Sequence, residues 1–269
     1  MIAISKRISY KSKSAVFRLY CLGDIHAGVV HCAEDKIRKK VKEIAADPFA
    51  LWVGMGDYME AIAPNDPRFD IGIIADWVEK TNVAESERKW VRDLFMPIKD
   101  KCLGLLTGNH EETVRLKNNQ DVYLDLCRDL DVPRLGYSCF IWLLFERMRE
   151  NIKWDTQGFV CHFEHGSGAA QTEGGKMMRL KKTLDYFDAD IYGMGHLHDI
   201  KTLTSPRLGI DKALHIKQQV RVGAITGSWF RGYFESETPS YVEKHGYSPA
   251  VIGCPVFEIQ PYHRKILVY

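Results

Sequence analysis

A chain of 269 residues with 45% hydrophobic and 27% charged residues has the make-up of a folded protein with a sizeable core, which excludes wholesale disorder. Its formal net charge of +2 exerts no global pull toward nucleic acid or acidic membranes, and no apolar run reaches membrane-spanning length. The seven cysteines are scattered with no Cys-x-x-Cys pair, and residues 1–7 hold no long apolar leader segment. Reduced, buried thiols in a cytoplasmic protein are the expectation.

Residues 15–22 read as a buried strand that ends at Gly23-Asp24-Ile25-His26. Asp24 and His26 are two apart, so both side chains can face one ligand. For Asp24 alone, a turn carboxylate bonded to backbone amides is the simpler reading. Residues 34–46 carry Ile37, Val41, Ile44 and Ala45 at helical spacing, with the lysines and arginines between them as a solvated face. Residues 49–54 form a second strand, followed by Gly56-Asp57. Strand, helix and strand in succession imply a parallel pair with a right-handed crossover. That arrangement sets Asp57 beside Asp24, because open α/β sheets gather ligands at the carboxyl ends of their strands.

Residues 58–101 are a long excursion before the next strand. Pro64, Asp66 and Pro67 mark a loop there, and Trp90, Val91, Leu94, Phe95 and Ile98 predict an amphipathic helix. Trp77, Trp90 and Phe95 are expected in the core, while Tyr58, Asn65, Arg68 and Phe69 are candidates for a substrate wall. Residues 102–107 form a third strand ending at Gly108-Asn109-His110-Glu111. A helix is predicted at 122–130, and 137–145 opens a second set of strands, with 147–151 as a hairpin turn. Residues 154–163 lead into Glu164-His165-Gly166, where His165 rather than His162 is the candidate ligand.

A helix is predicted at 174–187, carrying Lys176, Arg179, Lys181 and Lys182. After it, the mostly apolar run 189–192 leads to Gly193-Met194-Gly195-His196-Leu197-His198. Here two histidines at spacing two can aim into one site. Residues 200–208, 213–225 and 251–268 read as further strands, and the polar, aromatic stretch 226–233 suits a tight turn or a pocket rim. No repeat or low-complexity segment divides the chain. One domain spanning 1–269 is expected, with an insertion at about 58–101 and a β-rich extension after about 200.

Any one of these histidines, taken alone, fits a core or turn position. In order and context, however, Asp24-x-His26, Gly56-Asp57, Gly108-Asn109-His110-Glu111, His165-Gly166 and Gly195-His196-x-His198 resemble the calcineurin-like metallophosphoesterase superfamily. The resemblance implies an α/β fold, a four-layer α-β-β-α sandwich of two mixed sheets. It also implies two divalent metal ions sharing Asp57, the first completed by Asp24, His26 and His198, the second by Asn109, His165 and His196. Catalytic roles fall on Asp57, as the shared carboxylate, and on His110, as the group that protonates the leaving oxygen or stabilises the charge developing on phosphorus. Glu111 is left for a supporting role.

A nitrogen and oxygen donor set without thiolate suits manganese, iron, zinc, nickel or cobalt. Five neutral donors beside two carboxylates leave net positive charge to face a phosphate. The implied reaction is in-line attack of a metal-bridging hydroxide on a phosphodiester, a nucleotide being one candidate, with tolerance among phosphate esters. Rivals are a phosphomonoesterase, a metal-dependent nuclease and a metal-binding scaffold without turnover. The nuclease predicts a basic groove built from 176–182 and 147–149, and the scaffold has no use for His110. No membrane partner is expected.

Overall fold

The computed structural model describes residues 1–62, 70–150, 152–210, 213–235 and 239–269. Strands β1 (Ile2–Tyr10) and β2 (Phe17–Leu22) lead into α1 (Glu34–Ala46), β3 (Ala50–Gly54), α2 (Val83–Phe95) and β4 (Cys102–Leu106). Helices α3 (Asn109–Asn118) and α4 (Val122–Leu130) precede β5 (Arg134–Gly136), β6 (Ser138–Arg149) and β7 (Ile152–Glu164). The chain continues through α5 (Glu173–Tyr186), β8 (Ile191–Met194), β9 (Ile200–Ile210) and β10 (Ile216–Thr226). It closes with α6 (Tyr241–Lys244), β11 (Val256–Gln260) and β12 (Lys265–Val268).

Two six-stranded sheets result, one ordered β1-β6-β7-β8-β10-β9 and the other β12-β11-β2-β3-β4-β5. Both are mixed. In the second, β2 to β5 run parallel while β11 and β12 return antiparallel. In the first, β8 runs parallel to both β7 and β10. The sheets pack face to face through Phe17, Leu19, Val53 and Phe257 on one side and Ile141, Phe145, Phe159 and Phe163 on the other. Helices α1, α2 and α4 cover the outer face of one sheet through Ile37, Val41, Val91, Phe95, Leu126 and Leu130. Helix α5 covers the other through Leu180 and Leu184. This is the expected four-layer α-β-β-α sandwich.

Several elements differ from the sequence reading. Residues 2–10, read only for the absence of a leader, form an edge strand parallel to β6. Their alternation is weak because Lys6 interrupts the inward face of Ile4, Ile8 and Tyr10, and the other face is solvated. The hairpin turn expected at 147–151 is tighter, since β6 continues to Arg149 and β7 resumes at Ile152, with Glu150 at φ 50° carrying the reversal. The excursion is in part structural, because α2 contributes Val91, Leu94 and Phe95 to the helical layer. Trp77, expected in the core, is 37% exposed and stacks on Trp90 with ring centroids 5.5 Å apart. The residues after 200 supply two strands to each sheet. Among the described residues no helix is long and apolar enough to cross a membrane. All seven cysteines are free thiols, and all but Cys254 are buried.

Candidate metal centre

The two parallel strand sets end at the same edge of the sandwich. Asp24 and His26 follow β2, Asp57 follows β3, and Asn109 and His110 open the helix after β4. His165 follows β7, while His196 and His198 follow β8. The loops are tied to one another through backbone atoms. Asp24 N–H donates to the Gly56 carbonyl at 2.9 Å, and Ile25 and His26 N–H groups donate to the Asp57 carbonyl at 2.8 and 3.2 Å. Ser228 Oγ and Trp229 N both donate to the Asp24 carbonyl at 2.9 Å.

Asp24, His26, Asp57, His196 and His198 all adopt left-handed backbone, with φ of 48°, 51°, 49°, 67° and 47°. Asp, Asn and His tolerate this region better than most side chains, yet each such residue costs on the order of 1–3 kcal/mol. Strain at five of the seven positions singled out as ligands is the kind that surrounding structure holds in place at functional sites. The two loop glycines are there for close approach. A Cβ on Gly108 would lie 2.0 Å from Asp57 Oδ1, and one on Gly56, at φ 89°, would lie 2.7 Å from His165 Nδ1.

Three donor groups form among the described residues, the last of them His26 with Glu60 and His110. In the first, Asp24, His26 and His198 bring their donor atoms within 4.8 Å of one another. His26 Nε2 and His198 Nε2 stand 3.0 Å apart, and His198 Nε2 is 3.4 Å from Asp24 Oδ1. His26 Nδ1 donates to Glu60 Oε2 at 2.7 Å, so its Nε2 is left with a lone pair facing the neighbouring ring. In the second group, Asp57, His165 and His196 converge in the same way. His165 Nδ1 donates to the Met55 carbonyl at 2.7 Å, which turns Nε2 toward Asp57 Oδ2 at 3.2 Å and Asn109 Oδ1 at 3.1 Å. His196 Nδ1 is buried with no hydrogen-bond partner, while its backbone N–H donates to both Asp24 oxygens at 3.1 and 3.0 Å.

The electrostatics show a site that wants positive charge. Burial opposes the charged form of Asp57, yet His165 and His110 hold its carboxyl well below the usual carboxylate range. Burial pulls His165 down, and the Asp57 carboxylate more than offsets this, so its pKa is pushed up to about 10. A proton on His165 supplies, in the protein alone, the charge that a cation among the same atoms would supply. Close-set imidazole nitrogens, an orphaned His196 nitrogen and two buried carboxylates together fit divalent metal ions with nitrogen and oxygen ligands.

Around this pocket stand residues that position it. Glu111, buried, accepts backbone N–H groups from Asp57, Tyr58, Met59 and Gly108 at 3.1, 2.7, 3.3 and 2.9 Å. It thereby clamps the Asp57 loop to the start of α3, the supporting role expected of it. His110 lies beside His26, ring centroids 4.8 Å apart, with its Nδ1 donating to the Glu60 carbonyl at 2.5 Å and its backbone N–H to Asp57 Oδ1 at 3.0 Å. Glu60, which the sequence reading passed over, therefore orients both His26 and His110. Burial pushes its carboxyl up, but His110 and His26 bring it down to about 2. Its one sequence signal is a carboxylate three residues beyond Asp57 on a ligand-bearing loop.

The stretch after β10 forms a rim. Phe230 lies 5.6 Å from the His26 ring and 6.3 Å from the His198 ring, and stacks on the buried His31 at 5.3 Å. Trp229 beside it is core. His162 is buried within β7, stacked on Phe187 at 3.9 Å and away from the donor groups, as its place in the strand suggested. Tyr58, a candidate for the substrate wall, is instead fully buried, its hydroxyl donating to the Leu106 carbonyl at 2.8 Å. A tyrosine whose neighbours clamp onto Glu111 is drawn inward with them. Asn65, Arg68, Phe69 and the loop with Pro64 and Pro67 lie outside the described residues. Arg147 and Arg149 sit at the far end of β6 from the site, so they do not continue a basic groove with α5.

No family model matches the chain, and no curated protein does. Among solved structures it is similar to a conserved uncharacterized protein of Streptococcus pneumoniae TIGR4, described as a predicted phosphoesterase. That match has 13% identity and a TM-score of 0.34, over 91% of this chain and 84% of that one. It is also similar to Vps29 of Chaetomium thermophilum, with 11% identity and a TM-score of 0.36 over 94% of this chain and 93% of that one. Likeness at this level leaves the functional argument to the geometry of the site.

Proposed function

We propose that this chain is a metal-dependent phosphoesterase that holds two divalent transition-metal ions and hydrolyses phosphate esters, phosphodiesters ahead of monoesters. The observation that carries the reading is the pairing of two donor groups, Asp24–His26–His198 and Asp57–His165–His196, at one edge of the sandwich. Asn109 would join the second group through Oδ1, and Asp57 would serve as the carboxylate shared between the ions. The metal pair, when bound, supplies an activated water and neutralises charge on the phosphoryl oxygens.

The chain's own residues do the rest. Asp24 and Asp57 are the only carboxylates in the two groups, so the loaded pocket keeps net positive charge toward an anionic ester. Glu111 and Glu60 hold the ligand loops rigid, which limits reorganisation during the reaction. His110, its Nδ1–H committed to the Glu60 carbonyl, has Nε2 left to hold a proton for the leaving oxygen. That favours esters whose alkoxide leaves poorly. Metal-loaded protein should turn over a panel of esters with diesters fastest, and chelation should abolish all of it. Loaded protein that bound both ions and hydrolysed no phosphate ester would overturn the reading.

A further inference from the structure

Beside the metal centre lies an open cleft of about 580 Å³, bounded by α5, the 166–170 loop and Tyr137. Its volume is that of small-molecule sites, roughly 300–1,000 Å³. Tyr137 is the partition between cleft and centre. One edge of its ring meets His165 at 5.4 Å, and its hydroxyl donates to the Gly166 carbonyl at 2.6 Å. Tyr137 thus touches both the cleft and the second donor group.

The lining has two characters. Met178 and Tyr186, 58% and 77% exposed, join Phe187 as apolar and aromatic surface. The charges are Arg179 and Lys182 against Glu164, an excess of one positive charge. The basic residues of α5 are otherwise engaged. Lys176 pairs with Asp199 at 3.1 Å, Lys181 pairs with Asp185 at 2.5 Å, and Arg179 donates to the Ser167 carbonyl at 2.6 Å. Glu164 accepts the Thr183 hydroxyl at 2.8 Å. Lys182 makes no ion pair among the described residues and remains available to an anion.

We propose that this cleft binds the second, non-reacting half of the substrate, an aromatic group carrying its own phosphate, as in one nucleotide unit. The inference rests on the phosphoesterase reading and narrows it to a small nucleotide diester. A long polynucleotide is disfavoured because the arginines of β6 do not extend the cleft. Arg147 and Arg149 lie roughly 35 Å away along β6, each stacked over an aromatic ring, Tyr262 and Trp154.

The test uses two probes. Calorimetry with thymidine bisphosphate on metal-free full-length chain should show binding that Lys182→Glu weakens roughly five- to tenfold, the scale of one reversed, partly exposed charge. Lys181→Glu, with the same change in net charge on the same helix, should bind as the parent does. On loaded protein, Lys182→Glu should raise KM for a phosphorylated dithymidine and leave bis-nitrophenyl phosphate unchanged. No binding to the parent chain, or equal loss in both variants, would overturn the cleft assignment while diester turnover kept the phosphoesterase reading. Lys182-dependent binding without turnover of any ester would keep the cleft as a nucleotide site and sink the phosphoesterase.

Discussion

Asn109 and His110 are adjacent in sequence, yet the structure turns them toward different partners. Asn109 Oδ1 faces His165 within the second donor group, whereas the His110 ring turns to Glu60 and His26. His110→Ala should therefore retain both metals and slow esters with poor leaving groups by roughly 10²–10⁴-fold, with a smaller effect on a nitrophenyl diester. His196→Ala should lose metal and activity together on every substrate. Metal content and turnover measured side by side distinguish the two; metal loss from His110→Ala, or equal slowing of both esters, would remove His110 from the acid role. His162 gives a separate test, of stability. Burial lowers its pKa to about 4, below the unfolded value of about 6.5, so the unfolded chain takes up the proton first. Stability thus falls as pH drops through 6.5 toward 4, by about 2 kcal/mol between pH 7 and 5. Denaturant unfolding should show that loss in the parent chain and not in His162→Phe; identical slopes would contradict it. The candidate ligands were legible because each is a chemically distinctive residue at a strand end. Glu60 was not, because its role depends on where a loop folds back.

At the scale of elements, α3 is the part least visible in sequence and most consequential for the site. Its apolar face is reduced to little more than Val114, so periodicity does not reveal it; its start is defined by Glu111 reaching back to the Gly108 N–H. Because Glu111 also accepts from Asp57, Tyr58 and Met59, the helix and the Asp57 loop form one unit. Glu111→Ala would leave four buried N–H groups without an acceptor and should cost about 2–4 kcal/mol, read from denaturant unfolding of metal-free protein. A change under about 0.5 kcal/mol, the scale of an ordinary surface substitution, would show that the clamp is dispensable. Strands β2, β3 and β4 were legible as short apolar runs closed by glycine and a polar cluster. Strand β1 was hidden by its solvated edge, and Tyr58 was misplaced because nothing local tells an inward from an outward aromatic on a loop.

For the molecule as a whole, the crossover and strand-end rules foretold that the loops after β2 and β3 meet, while the convergence of all five loops at one edge of the sandwich was implied by the resemblance. They could not foretell the cleft beside α5, since it arises from how a helix in one layer meets a loop from another. The central claim is that seven side chains from those loops hold two metal ions about Asp57. The most direct test is elemental analysis of carefully metal-loaded, desalted protein alongside Asp57→Asn. About two transition-metal ions per chain in the parent, with at least one lost from Asp57→Asn, is the result the account predicts. Fewer than about one ion per chain in the parent, or full retention in Asp57→Asn, would contradict it.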